Sequence, residues 1–129
     1  MKTIKVLIIE DEAAAAKRLN KLITEIMPDA EIISTIASIA SAVQWFNANQ
    51  LPDLVFADIH LADGSSFEIF KHVSVDCPII FITAYDQYAL QAFKQNSIHY
   101  LLKPVKKEEL NEAIERFRKR QALKETGSI

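Results

Sequence analysis

The feature that most constrains this chain is a regular alternation of short apolar runs with segments of helical period. The runs at 4–9, 54–57 and 79–82 lack polar alternation, as strands do when both faces of a sheet are covered. Two further strands are expected at 31–36 and 98–102. Between them, Leu19, Leu22, Ile23 and Ile26 follow the i, i+3, i+4, i+7 spacing of a one-sided helix. That helix has to stop at Met27, because Pro28 follows. Ile39, Ala42, Val43 and Phe46 repeat the pattern behind Ser38, a candidate N-cap, and Leu110, Ala113, Ile114 and Phe117 repeat it near the C-terminal end. Ser65 and Glu68 stand at capping-box spacing ahead of Phe70, and a weaker helix over 86–95 holds Ala89, Ala92 and Phe93. Five βα units in strict alternation argue for an α/β fold, an open and doubly wound sheet with right-handed crossovers.

At 129 residues and 50% hydrophobic, the chain can bury one core, and residues 1–120 read as one folded unit. Residues 121–129 read as a frayed helix end and tail, or the start of a linker. Fifteen Lys plus Arg against seventeen Asp plus Glu leave a net charge of −2, which gives no general attraction to nucleic acid. Cys77 is the sole cysteine, so an internal disulfide is excluded, zinc spacing is absent and a reducing, cytoplasmic setting fits best. No run approaches the roughly 20 apolar residues that span a bilayer, and MKTIKVLIIEDE is too short in apolar length for a signal peptide, so no membrane contact is expected.

Ligands of open α/β sheets bind beyond the carboxyl ends of the strands. Glu10, Asp11 and Glu12 follow the first strand, Asp58 the third, Thr83 the fourth and Lys103 the fifth. Acids ending two adjacent buried strands repel unless a cation lies between them. Mg²⁺ prefers oxygen ligands and is held by one or two carboxylates plus phosphate oxygens, so the set suits a phosphate-handling Mg²⁺ site. A carboxylate can also attack phosphorus, and Asp58, a lone acid at the tip of an apolar strand, is the better nucleophile candidate. Lys103 and Thr83 would then meet the phosphoryl oxygens. Each residue has a blander reading. Asp58 alone could be a turn or cap, Glu10 to Glu12 could simply favour the next helix N-terminus, and Lys103 could be a solvated amine. All of them falling on the required strand ends is a far smaller coincidence.

These residues, with VLIIEDE, LVFADIHLADG, IIFITAY and YLLKP in this order over residues 3–120, resemble the receiver domains of two-component response regulators. The resemblance implies a flavodoxin-like (βα)5 fold with strand order 2-1-3-4-5. It implies that Asp58 takes a phosphoryl group from a sensor histidine kinase, and that Asp11 and Asp58 ligate Mg²⁺ directly. Glu10 would act through a metal-bound water, and the backbone carbonyl of His60 would be a further ligand. Thr83 and Lys103 match the residues that contact the phosphoryl group, Tyr100 matches the aromatic that turns with the switch, and the Lys103–Pro104 bond should be cis. Such a domain is a signalling switch rather than an enzyme, assisting its own Mg²⁺-dependent phosphorylation and dephosphorylation. The sequence departs from the family pattern in having Glu10 where Asp is commoner, and in a shorter loop to Gly64 without the usual proline. His60 and Tyr85 stand where residues flank the phosphoryl group in relatives and bear on water access.

YDQYALQAFKQNSIHYLLKP further resembles LytTR-type regulators, whose receivers precede a DNA-binding domain; none lies in these residues, so the chain is either a stand-alone receiver or a piece ending at a linker. Any DNA contact and transcriptional output would run through that other domain. A homodimer through the fourth helix, fifth strand and fifth helix is implied, with Tyr88 and Phe93 on or near that surface. Arg116, Arg118, Lys119 and Arg120 at the end of the last helix fit dipole compensation and a solvated face. Three rivals remain. A phosphatase using an aspartyl-phosphate needs its nucleophile after the first strand, and a flavin or nucleotide carrier needs a glycine-rich loop, whereas Gly64 and Gly127 are the only glycines. A degenerate receiver serving only as a protein-binding module is opposed by the intact Asp58, Thr83 and Lys103.

Overall fold

The apolar runs become the strands of one sheet. The computed structural model describes residues 3–84 and 97–125. In it β1 (Ile4–Ile9), β2 (Ala30–Ile36), β3 (Leu54–Asp58), β4 (Ile79–Thr83) and β5 (Ser97–Leu102) pair in parallel throughout. The order β2-β1-β3-β4-β5 is the one the family resemblance implied. Two short strands, His60–Leu61 and Gly64–Ser65, pair antiparallel with each other outside this sheet. The weak helix expected over 86–95, with Tyr85, Tyr88 and Phe93, lies outside the described residues.

Successive side chains of a strand point to opposite faces, and both faces here are covered. Val6, Ile8, Phe56 and Ile80 pack with Leu19 and Ile23 of α1 (Ala13–Ile26) and with Leu110, Ile114 and Phe117 of the C-terminal helix (Lys107–Glu125). Leu7, Ile9, Val55 and Phe81 pack on the other side with Ala42 and Phe46 of α2 (Ile39–Ala48) and Ile69 of α3 (Ile69–His72). The Phe81 ring centroid lies 4.9 Å from that of Phe67 and 5.9 Å from that of Phe70. Doubly covered strands have no polar side to show, which is why their sequences lack alternation.

The helix ends follow local chemistry. Met27 closes α1 by donating its N–H to the Ile23 carbonyl at 2.7 Å, and Ser38 Oγ accepts from the Ser41 N–H at 3.1 Å. The capping box at Ser65 is only half formed. Ser65 Oγ accepts from the Phe67 N–H at 3.2 Å over a 3-10 turn at Ser66–Glu68, but Glu68 accepts from Lys71 Nζ at 2.8 Å instead of reaching back. The C-terminal helix continues past residue 120 to Glu125, so the basic cluster is not at its last turn. Arg118 instead reaches Asp29, just before β2, at 2.8 Å, which corrects the dipole account of that residue. Among the described residues, no helix is long and apolar enough to cross a membrane.

Candidate functional site

Parallel strands in register bring their carboxyl ends to one rim. Asp58 is the last residue of β3 and stands opposite Ile82 of β4, so Thr83 follows on the neighbouring strand. Lys103 comes directly after β5, and its backbone N–H donates to the Thr83 carbonyl at 2.8 Å. Glu10 follows β1, held by its N–H to the Ile36 carbonyl at 2.8 Å. The Lys103–Pro104 bond is cis, as the resemblance implied.

The side chains close on one another. Lys103 Nζ lies 2.7 Å from Asp58 Oδ2, 3.0 Å from Glu10 Oε1 and 3.3 Å from Glu12 Oε1. Carboxylate oxygens of Glu10, Asp11 and Asp58 all lie within 4.8 Å of one another. Glu10 and Asp58 keep only 5% and 4% of their surface, so their charges depend on partners rather than water. Burial pushes the Glu10 carboxyl up to about 7, and the neighbouring Asp58 adds to the rise, while bonds from Lys103 and the Glu12 N–H work against it. For Lys103, burial by itself opposes the charge, but hydrogen bonds to Asp58 and Glu10 outweigh it and hold the amine above its ordinary value. Three oxygen donors at this spacing, two of them buried, fit a hard divalent cation such as Mg²⁺ and offer nothing to a soft one.

The other expected residues fall around this cluster. His60 donates its N–H to Asp58 Oδ1 at 3.1 Å, and its side chain is exposed. Thr83 is fully buried at its strand end. Tyr100 stands opposite Phe81 and packs half-buried on the α2 and α3 face.

Two interactions escaped the sequence reading. Glu12 sends its carboxylate to Lys103, 91 residues away, rather than to its own helix. Asp63 caps α2 from outside, with both carboxylate oxygens 3.0 Å from the Ile39 N–H, and these bonds hold its carboxyl below the usual range. That capping fixes the loop after Asp58. Gly64 beside it has φ +134°, and a Cβ there would meet Ile39 Cδ1 at 3.2 Å. The signal for Asp63 was present in part, as a short acidic loop with a glycine, but its partner 24 residues earlier leaves no mark in the local sequence.

A buried carboxylate at a β-strand tip, paired with a lysine and flanked by two more acids, sits where open α/β sheets place their ligands. The response regulator receiver domain profile matches residues 6–115, and the chain belongs to this family. The sensory transduction protein LytT of Enterococcus faecalis is 38% identical over 117 residues, covering 88% of this chain and 48% of that protein. LytT of Bacillus anthracis is 37% identical over 121 residues, covering 92% and 48%. The chain thus spans about half the length of the curated relatives it matches. Among solved structures, the receiver of PhyR from Erythrobacter litoralis matches at 31% identity and TM-score 0.75, covering 91% of each chain. The response regulatory domain of mrkE from Klebsiella pneumoniae shares the fold at TM-score 0.80, covering 91% of this chain and 97% of that one.

Proposed function

We propose that this receiver domain accepts a phosphoryl group on Asp58 from the phosphohistidine of a sensor kinase and relays the change to a DNA-binding output domain. The observation that supports this best is Lys103 Nζ at 2.7 Å from Asp58 Oδ2, beside carboxylates spaced for a divalent cation. Asp58 forms a bond to phosphorus as the phosphorus–nitrogen bond of the donor breaks, and the imidazole keeps that electron pair. Lys103 moves from the carboxylate to a phosphoryl oxygen, and the Thr83 hydroxyl donates to another. Asp11, Asp58 and the His60 carbonyl would hold Mg²⁺, with Glu10 acting through a bound water, and the ion would supply positive charge to offset that of the transferring group. Thr83 drawn inward leaves room for Tyr100, which reshapes the β5 edge for a homodimer. The 1–120 unit is the switch and the residues after it lead toward the output domain, in a cytoplasmic protein.

Intact mass after incubation with acetyl phosphate tests this reading. One phosphoryl adduct is expected in wild type with Mg²⁺, and none without Mg²⁺ or in Asp58→Ala. Folded wild type that binds Mg²⁺ and gains no adduct would contradict it and favour a protein-binding module.

A further inference from the structure

Lys103 has three carboxylates around it, and one of them stands apart from the metal-spaced cluster. Glu10, Asp11 and Asp58 form that cluster, whereas the Glu12 carboxylate lies outside it and meets the amine at 3.3 Å, its backbone N–H donating to Glu10 Oε2 at 3.2 Å. Glu12 occupies the N-cap of α1, a position whose side chain ordinarily bonds the amides of the first helical turn. It makes no such bond. Its carboxylate, 70% exposed, turns to Lys103 instead, so helix capping does not account for its direction.

The arrangement poses a competition between two cations. A divalent ion in the cluster would take Glu10 and Asp58 away from Lys103, whose side chain is only 25% exposed, and the two like charges would repel. The lysine ammonium is a compact charge on a flexible stem, so it can shift between oxygens without backbone motion. Beside it lies a cavity of about 360 Å³ lined by Glu12, Arg18, Leu19 and Val105, which gives the side chain room.

We propose that Glu12 is a positioning residue that receives the Lys103 ammonium as Glu10 and Asp58 turn to Mg²⁺, keeping the amine at the mouth of the site for an incoming phosphoryl group. This rests on the metal reading above. Because exposed ion pairs contribute little to stability, the role of Glu12 lies in this competition and not in holding the fold.

Calorimetric Mg²⁺ binding to wild type, Glu12→Gln, Lys103→Met and the double variant tests it, with Lys103→Gln as the alternative if the methionine variant fails to fold. Residues in one charge network couple, so Glu12→Gln is expected to weaken binding by about threefold to tenfold when Lys103 is present, and by less than about twofold when it is not. Equal weakening in both backgrounds would make Glu12 an ordinary through-space charge and overturn the proposal, as would no weakening in either. A urea midpoint lowered by Glu12→Gln without Mg²⁺ would make it a structural residue and overturn it too. Wild type that binds no Mg²⁺ at all would overturn the metal reading itself, a result distinct from all of these.

Discussion

The body of the sheet and its carboxyl rim lie within a few residues of each other and obey opposite rules. In the body, Leu7, Ile8, Val55, Phe56 and Ile80 are fully buried and apolar on both faces. At the rim, equally buried positions hold Glu10, Asp58 and Thr83, with Lys103 among the acids. Stability is made in the body and spent in part at the rim, where buried charges are kept out of water and held by one another. The lesson is that the strand ends, not the strands, decide what the fold does.

The comparison breaks first at its strong side. Phe56→Ala should lose about 3–5 kcal/mol in urea unfolding, as large core truncations do, and a loss under about 1 kcal/mol would deny the body its role. At the rim, Lys103→Met without Mg²⁺ leaves two buried acids facing each other. Removing one partner of a fully buried pair costs about 3–5 kcal/mol, and since Lys103 keeps a quarter of its side chain in water, a loss of about 2 kcal/mol is expected. A gain in stability would show that the acids do not repel.

Ser66 sharpens the contrast, since it is a polar group within the body side of the boundary. Its Oγ is fully buried and has no hydrogen-bond partner among the described residues, so Ser66→Ala should raise stability by up to about 1 kcal/mol. Destabilisation in the same unfolding experiment would reveal a bond to the hydroxyl. The smallest effect belongs to the exposed pair of Arg118 and Asp29, where Arg118→Gln should lose less than about 1 kcal/mol at neutral pH. The hydrogen bond from Arg118 holds the Asp29 carboxyl below its usual 3.8. Its stabilisation is therefore present above pH 3.8 and lost as pH falls through the lower folded value, so the gap between wild type and variant should close in acid. A gap that stays constant to low pH would assign the loss to packing of the arginine stem.

The body was legible because its physics is local. Runs without polar alternation at 4–9 and 79–82, the first interrupted only by Lys5, gave strands that match or differ by one residue, and Pro28 and Ser38 marked helix ends where they fall. The rim was legible in its membership, since Asp58, Thr83 and Lys103 stand where strands end, but not in its wiring. Lys103 chooses among Asp58, Glu10 and Glu12 by distances that arise only when β1, β3 and β5 are assembled. Asp63 on the Ile39 N–H and Arg118 on Asp29 were hidden for the same reason, and the box at Ser65 is half formed because Glu68 is paired with Lys71.

Urea stability of wild type and Asp58→Ala across a Mg²⁺ series tests the central claim most directly, because a cation that settles the rim must stabilise the whole fold. The account predicts that wild type gains stability with Mg²⁺, by about 2.7 kcal/mol at one hundred times the dissociation constant, and that Asp58→Ala gains much less. Wild-type stability that ignores Mg²⁺, or rises equally in the variant, would contradict it.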